Sequence, residues 1–173
     1  ILTEDVRLVS RVDWGAQPPE QPADPLQVNP PPYVIISHTA SEPCMTQAQC
    51  AKRVRVAQMM HIEGNGWDDI GYNFLVGGDG LAYVGRGWGV EGAHTFNYNK
   101  KSIGISFIGT FNTVEPTRRQ LHAMNKLIEL GVKEGKIAPD YKLMGHRQLT
   151  ETLSPGDALY RILQTLPHWS PKP

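Results

Sequence analysis

Two histidines and a serine stand at positions that could form most of a metal site. His38 and His146 would each supply an imidazole, and Ser154 follows the second histidine by eight positions. A catalytic zinc usually has three protein ligands and one open position for water, and histidine and cysteine are preferred donors. Cysteine at position 154 would complete such a set. A serine hydroxyl is a much weaker acid than a thiol and stays a neutral, poor donor, so the sequence predicts an incomplete zinc site.

The segments around these residues predict an α/β domain. Residues 33–38 are apolar and β-branched, which is typical of a buried strand and places His38 near its carboxyl end. Open α/β sheets form their ligand crevices at that edge. Further strands are predicted at 72–76, 81–84, 103–108 and 141–144. The Gly-Gly-Asp-Gly stretch at 77–80 predicts a hairpin between two of them.

Three helices are predicted to flank the sheet. Thr46 and Gln49 have the spacing of a capping box, so a helix is expected over about 47–63. His61 shares one face of that helix with core positions, which favours a core or groove-wall histidine over a metal ligand. Apolar residues at helical spacing predict an amphipathic helix over 117–134. The expected fold is a single domain with a central mixed β-sheet flanked by about three α-helices.

Ser154 has a structural interpretation besides the metal site. With Asp157 it fits the S-x-x-D pattern, and Pro155 would be the first helical residue. We therefore expect its hydroxyl to cap the last helix. A nucleophilic role is less favoured, because a serine nucleophile needs an aligned base and the presence of His146 alone does not provide that evidence.

The first 32 residues are rich in proline. Pro favours extended backbone and excludes a long helix, so 1–32 is expected to be an extended N-terminal segment and 33–173 the domain proper. A disordered linker is the alternative. The apolar residues between Val9 and Ala16, including Trp14, favour a segment packed on the domain.

Composition limits the possible functions. A length of 173 residues fits one domain with a substantial core. Lys plus Arg equals Asp plus Glu at 17 each, which argues against binding to nucleic acid or to an anionic membrane. No apolar run approaches the ~20 residues that span a bilayer, and no signal segment opens the chain. We expect a mature protein or an excised ectodomain.

Six motifs, in order, carry a family resemblance. They occupy residues 37–40, 66–74, 85–88, 92–95, 103–107 and 145–156. Together they closely resemble the peptidoglycan recognition proteins, which are relatives of bacteriophage lysozyme-type N-acetylmuramoyl-L-alanine amidases. The resemblance runs from about Val9 to Trp169.

The two cysteines, Cys44 and Cys50, lie six positions apart. Their spacing alone allows a free pair, half of a metal site or a disulfide. The resemblance implies a disulfide, and an intact bridge indicates an oxidising compartment. We therefore expect an extracellular domain, either secreted or part of a membrane receptor.

The resemblance also implies roles for the residues of the incomplete zinc site. In the amidase branch, zinc activates a water that attacks the lactyl amide between glycan and stem peptide, and a tyrosine assists. His38 and His146 match the two histidine ligands, Tyr72 matches the tyrosine and Thr152 a further active-site position. Ser154 departs from the pattern. The expectation is a protein without amidase activity, bound metal or cofactor. Tyr72 is expected to bind ligand; the alternative is a strand residue that only packs its ring.

Gly66-Trp67 and Arg86 bear on ligand type. In the family, members that carry Gly-Trp together with an arginine in the Gly-Arg-Gly-Trp motif bind stem peptides that contain diaminopimelic acid. Alternatively, Trp67 is a packing aromatic and Arg86 a surface residue beside a turn. The full set of residues expected to bind ligand is His38, Thr39, His61, Trp67, Tyr72, Arg86, His94, Thr152 and Ser154.

The resemblance leads to one main functional expectation. The domain would be an innate immune pattern-recognition receptor that binds diaminopimelic acid-type peptidoglycan muropeptides without cleaving them. A ligand-induced homo- or heterodimer with another such domain is expected, with no nucleic acid and no membrane contact by the domain itself. The alternatives are a zinc amidase with an altered ligand set and a regulatory partner that binds no muropeptide.

Overall fold

A six-stranded sheet forms the centre of the domain in a computed structural model, which describes residues 5–173. The strands are β1 Leu8–Val9, β2 Tyr33–His38, β3 Phe74–Val76, β4 Ala82–Val84, β5 Ser102–Phe107 and β6 Lys142–Gly145. The helices are α1 Arg11–Trp14, α2 Gln47–Met59, α3 Arg118–Lys133 and α4 Asp157–Leu163, and a π-helical turn at Met60–Gly64 continues α2.

The sheet is mixed, with the order β1-β4-β3-β5-β2-β6. Its neighbours pair in parallel except β3 and β4, which are antiparallel. The predicted hairpin turn connects these two strands, and the Asp79 carboxylate stabilises it by accepting the Leu81 N–H at 3.1 Å. The predicted single-domain α/β fold with a mixed sheet is confirmed.

Two apolar cores cover the two faces of the sheet. The first lies beneath α3 and α4 and includes Val34, Ile36, Phe74, Ile103, Ile105, Phe107, Met124, Leu127, Leu159 and Leu163. The second lies beneath α1 and α2 and includes Val9, Trp14, Cys44, Cys50, Val54, Leu75, Tyr83 and Ile108. Because the second core draws its strand residues from β1, β3 and β4, α2 covers only one half of its face.

Three of four neighbouring positions on the other half of that face, along β2 and β5, carry small residues: Ser37, Gly104 and Ser106. The register pairs Ile35 with Gly104 and Ser37 with Ser106. Alternate residues of a strand point to the same face, so these four positions share one surface. This surface forms the floor of the candidate site.

The last helix starts later than the sequence predicts. Helix α4 begins at Asp157, its N-cap is Gly156 at φ +92°, and no side chain caps it. The carbonyl of Phe111 instead accepts the N–H groups of Ala158 at 3.0 Å and Leu159 at 3.4 Å. The predicted cap by Ser154 is wrong because its hydroxyl is already used, accepting a backbone N–H from β2.

The N-terminal residues contribute to both the sheet and the second core. β1 pairs with β4, and the one-turn helix α1 ends at Trp14, which is fully buried. The Trp14 indole N–H donates to the Val84 carbonyl at 2.8 Å. The first residues of the predicted 1–32 segment, 1–4, lie outside the described residues.

The predicted disulfide is confirmed. Cys44 and Cys50 are bonded with an S–S distance of 2.03 Å, and both are buried in the second core. The bridge joins the loop after β2 to the first turn of α2. Within residues 5–173, no helix has the length and apolar character needed to cross a membrane.

Burial of Trp14 predicts a large stability effect. Trp14→Ala removes a fully buried aromatic and leaves the Val84 carbonyl without its indole donor, so we expect the free energy of unfolding to fall by about 3 to 5 kcal/mol. Urea denaturation would measure the change. Val12→Ala is the control, because Val12 is 88% exposed in the same helix and should change stability by less than about 0.5 kcal/mol. Equal effects of the two substitutions would contradict the anchoring role of Trp14.

Candidate functional site

The carboxyl end of β2 brings His38 against Ser154. The Ser154 hydroxyl accepts the backbone N–H of His38 at 3.1 Å, and both residues are buried. On the imidazole itself, Nδ1 accepts the Phe111 N–H at 3.2 Å. Burial lowers the pKa of His38, and the positive charge of nearby Arg147 adds to the effect. His38 is therefore a neutral imidazole whose Nδ1 is already hydrogen-bonded.

His146 and His94 lie beside His38. His146 opens a short 3-10 helix directly after β6, and its Nδ1 is buried without a hydrogen-bond partner among residues 5–173. The His94 ring lies over Gly104, where a β-carbon would overlap it, and its Nδ1 is 2.9 Å from the Thr95 hydroxyl. Burial is the main cause that lowers both pKa values, that of His94 to about 3. The floor of this end is thus lined by neutral imidazoles.

Tyr72 connects this end to the rest of the site. It precedes β3 and lies beside the hydroxyls of Ser37 and Ser106 on the floor. Burial raises the pKa of Tyr72, while these two hydroxyls act in the opposite direction. The phenol therefore stays protonated and can both donate and accept hydrogen bonds.

An aromatic group forms the wall next to Tyr72. His61, on the π-helical turn after α2, lies 4.7 Å from the Trp67 ring and 5.3 Å from the Tyr72 ring between centroids. Its Nδ1 accepts the Gly71 N–H at 2.9 Å, which fixes the imidazole orientation. The Trp67 ring packs over Gly71, where a β-carbon would overlap it. Trp67 is thus both a packing aromatic and a half-buried surface of the groove.

Arg86 is held by main-chain carbonyls rather than by a carboxylate. Its Nε donates to the Ile70 carbonyl at 2.7 Å and its Nη1 to the Glu91 carbonyl at 3.2 Å. Nη2 donates to no other group within residues 5–173. Burial lowers the pKa of Arg86, while nearby carboxylates, Asp69 first, oppose the shift. The guanidinium stays charged and keeps one nitrogen free for a ligand.

The buried amide of Asn73 holds the Arg86 loop in place. Its Nδ2 donates to the carbonyls of Gly87 and Val90, both at 3.0 Å, and its Oδ1 accepts the Gly104 N–H at 2.9 Å. One side chain therefore ties the loop that carries Arg86 to strand β5. The position of the guanidinium is fixed by the sheet.

Arg86 opens into a cleft of about 360 Å³. The lining residues are Pro22, Ala23, Asp24, Gly66, Trp67, Asp68, Arg86, Glu91, Gly92, Ala93 and Asn99. Asn99 has a determined orientation, because its Oδ1 accepts the N–H groups of His94 and Thr95, both at 2.9 Å. Its Nδ2 is thus a fixed donor at the edge of the cleft.

The two threonines of the predicted set lie at the margins. Thr39 accepts the Gly109 N–H at 2.9 Å and shares a hydrogen bond of 2.7 Å with Ser41, so its hydroxyl holds a loop. Thr152 is exposed, and its hydroxyl accepts the Ser154 N–H at 3.2 Å. Thr152 therefore remains accessible to a ligand, whereas Thr39 is mainly structural.

Comparisons with known proteins agree with this architecture. The model of the N-acetylmuramoyl-L-alanine amidase family matches residues 27–157. Peptidoglycan-recognition protein LE of Drosophila melanogaster is 47% identical over 162 residues, which cover 94% of this chain and 47% of that protein. Peptidoglycan recognition protein 1 of Bos taurus is 43% identical, covering 94% of this chain and 85% of its own. The chain belongs to the peptidoglycan recognition protein family.

Solved structures of the family match the fold closely. One is a chain of the ectodomain complex of peptidoglycan recognition proteins LCa and LCx bound to tracheal cytotoxin, with a TM-score of 0.95, 50% identity and coverage of 96% and 100% of the two chains. Another is peptidoglycan recognition protein LE in complex with tracheal cytotoxin, described as monomeric diaminopimelic acid-type peptidoglycan. It has a TM-score of 0.92, 47% identity and coverage of 94% and 95%. The present chain spans about half the length of the full LE protein.

The residues present do not fit the zinc of the family's amidases. His146 Nδ1 is a buried atom without a partner, as expected of a ligand position, but the other two positions differ. His38 Nδ1 accepts an amide N–H, and Ser154 offers a neutral hydroxyl that already accepts one. Removing a metal's thiolate ligand lowers affinity strongly, because neutral oxygen is a poor zinc donor.

Several site residues carry weak sequence signals. Gly104 and Ser106 alternate in a strand, which could have indicated a face kept clear of large side chains. Asn73 is a polar residue before a buried strand, where a structural hydrogen-bond role is expected. Glu91 is a near neighbour of Arg86 in the sequence, whereas Asp24 comes from a distant loop without periodicity, so no pattern in the sequence places Asp24 in the same cleft.

The shifted histidines predict acid sensitivity. The pKa of His61 is lowered from 6.5 to about 4, mainly by burial and then by the charge of Arg86. The unfolded chain therefore binds a proton below about 6.5 that the folded chain binds only near 4, so the free energy of unfolding falls as the pH drops through that window. His38, His94 and His146 shift in the same direction.

His61→Gln tests this contribution, because glutamine can still accept the Gly71 N–H but does not titrate. Urea denaturation at several pH values between 7.5 and 4.5 should show a shallower loss of stability for His61→Gln than for the wild type. Parallel profiles would show that His61 is as easily protonated in the folded chain as in the unfolded one.

Proposed function

We propose that this domain binds peptidoglycan muropeptides of the diaminopimelic acid type and does not cleave them. The observation that carries the proposal is the free Nη2 of Arg86 at the cleft, with the rest of the guanidinium anchored by two main-chain carbonyls. An anchored guanidinium can bind a carboxylate without first ordering its own side chain. That arrangement suits recognition of a charged group at the end of a ligand.

The rest of the groove suits a glycan and a short peptide. The floor offers the Tyr72 hydroxyl, beside which the hydroxyls of Ser37 and Ser106 are buried, and the wall offers the faces of Trp67 and His61. The Ser106 hydroxyl is fully buried beside Tyr72, so it supports the tyrosine rather than contacting a ligand directly. Aromatic faces with a few fixed polar groups are the usual lining of sites for small polar ligands.

Arg86 distinguishes between muropeptides by the third residue of their stem peptide. Lysine and meso-diaminopimelic acid differ at the end of the side chain by one carboxylate. A charge-assisted hydrogen bond from Arg86 to that carboxylate contributes about 1.5 to 3 kcal/mol, which corresponds to a roughly ten- to hundredfold preference. The relatives of known structure that bind tracheal cytotoxin support this choice of ligand.

Absence of cleavage follows from the donor set at the incomplete zinc site. His38, His146 and Ser154 provide two imidazoles and one neutral hydroxyl, and the hydroxyl is bonded to the main chain of β2. An activated, metal-bound water requires a firmly held zinc. The groove thus retains the means to bind a muropeptide without the means to hydrolyse it.

The receptor role includes an innate immune response at the cell exterior. The disulfide between Cys44 and Cys50 supports an oxidising compartment. The complex of the LCa and LCx ectodomains with tracheal cytotoxin supports pairing with a like domain around the ligand. In this proposal the domain acts as an extracellular sensor, secreted or attached to a membrane receptor, and the bound muropeptide promotes a homo- or heterodimer.

Arg86→Ala tests the ligand assignment. Calorimetric titration with two matched muropeptides, carrying diaminopimelic acid or lysine at position three, should show a roughly ten- to hundredfold preference for the first in the wild type. Arg86→Ala should lose most of that preference while its affinity for the lysine form changes little. Arg118→Ala is a charge-matched control, since Arg118 is exposed on α3 outside the cleft.

Two results would contradict the assignment. Equal losses for both muropeptides in Arg86→Ala would mean that Arg86 supports the fold of the loop rather than ligand choice. Failure of the folded wild type to bind either muropeptide would contradict the receptor function and favour a regulatory partner.

Ser154→Cys tests the explanation for the lost catalysis. The thiol would restore a preferred zinc donor beside the two histidines, so we expect uptake of about one zinc per chain, measured by mass spectrometry after dialysis against zinc. Ser154→Ala should take up none. A folded Ser154→Cys variant that binds no zinc would show that His38 and His146 are not positioned as ligands, and muropeptide cleavage by the wild type would contradict the non-catalytic assignment.

A further inference from the structure

The cleft at Arg86 carries more negative than positive charge. Three of the residues that line it are acidic, Asp24, Asp68 and Glu91, and only one, Arg86, is cationic. Three carboxylates against one guanidinium give the lining a formal charge of −2. Within residues 5–173, none of the three carboxylates takes part in a salt bridge. The cleft is therefore a site of mixed charge with an acidic excess.

Three carboxylates act on the pKa of Arg86: Asp69, which has the largest effect and is already paired with Arg11, then Asp68 and Glu91, which belong to the cleft. The main chain of Glu91 is well fixed, because its carbonyl accepts from Arg86 Nη1 at 3.2 Å and its N–H donates to the Asp24 carbonyl at 2.8 Å. Asp68 comes from a different part of the chain, directly after Trp67, and is exposed. Asp68 and Glu91 thus line the same cleft as Arg86.

A ligand group that carries both a positive and a negative charge would complement this charge distribution. A lone carboxylate would gain from Arg86 but would face the acidic excess. A lone ammonium would gain from the carboxylates but would lie next to the guanidinium. A carbon that carries an ammonium and a carboxylate can satisfy both, because each charged group then has an opposite charge within reach.

The terminal carbon of diaminopimelic acid is such a group. We infer that Glu91, together with Asp68, binds the ammonium of that carbon while Arg86 binds its carboxylate. The inference rests on the proposed function and adds a specificity determinant to it. The domain would then recognise the zwitterionic end of the side chain, not the carboxylate alone.

The experiment uses three muropeptides that differ only at position three of the stem. One contains diaminopimelic acid, one contains 2-aminopimelic acid, which keeps the terminal carboxylate and lacks the ammonium, and one contains lysine. Calorimetric titration of the wild-type domain should give an affinity for the diaminopimelic form about three- to tenfold higher than for the aminopimelic form.

The variants are Glu91→Gln, Asp68→Asn and the double variant. We expect the ratio between the diaminopimelic and aminopimelic forms to fall in each single variant and to approach one in the double variant. Affinity for the aminopimelic form should be unchanged or higher, because a repulsive charge is removed. Glu134→Gln is the matched control, since Glu134 is an exposed carboxylate at the end of α3, outside the cleft.

The outcomes separate this inference from the proposed function. If the wild type binds the diaminopimelic and aminopimelic forms equally, and both more tightly than the lysine form, the role of Glu91 and Asp68 is overturned and the proposed function stands. A preference for the diaminopimelic over the aminopimelic form that persists in the double variant also overturns the role of Glu91 and Asp68. Failure of all three muropeptides to bind overturns both the inference and the proposed function.

Discussion

The parallel pairing of β2 with β5 is the constraint on which the groove depends. Its register sets Ile35 beside Gly104 and Ser37 beside Ser106, so that three of these four positions on one half of a sheet face carry small residues. The absence of a β-carbon at Gly104 admits the His94 ring, and the two serines lie beside Tyr72. A slip of one residue would turn Ile103 and Ile105 to this face and fill the groove with apolar side chains.

Two hydrogen-bond arrangements give the two ends of the groove different electrostatic character. At one end, burial keeps His38, His94 and His146 neutral, and the hydroxyl of Ser154 is bonded to the main chain. At the other end, carbonyl groups hold Arg86 without neutralising it. A ligand with a neutral glycan and a charged side chain fits this gradient along its own length.

The elements that position the site could be predicted from local patterns. The apolar run of β2, the glycine-rich turn between β3 and β4 and the capped start of α2 at Thr46 each specify their structure through neighbouring residues. The resemblance to the family then predicted Arg86 and the imidazoles as a group. These predictions rest either on residues that act through their sequence neighbours or on residues that belong to long family motifs.

Predictions failed where distant contacts override a local pattern. The S-x-x-D pattern at Ser154 favours a helix cap, yet its hydroxyl accepts an N–H from a residue 116 positions earlier, and the Phe111 carbonyl takes over the cap. The helix predicted over about 47–63 also ends as a regular α-helix at Met59 and continues as a π-helical turn, on which His61 packs against Trp67 and Tyr72. Asp24 and Glu91 meet Arg86 only through loops, whose course depends on the hydrogen bonds of Asn73 and on backbone contacts.

The way in which Arg86 is anchored explains why a loop-built cleft can be selective. Had a carboxylate paired with Arg86 directly, a ligand would have to compete with an existing ion pair, and the gain in binding would be small. Main-chain carbonyls satisfy the geometry of the guanidinium but leave its charge available. Asn73 ties the loop to the sheet, so the charge is presented at a fixed position and little conformational entropy is lost on binding. In the binding mode proposed above, selectivity comes from charges that the free protein does not pair in salt bridges, and a ligand that lacks either opposite charge loses part of that interaction.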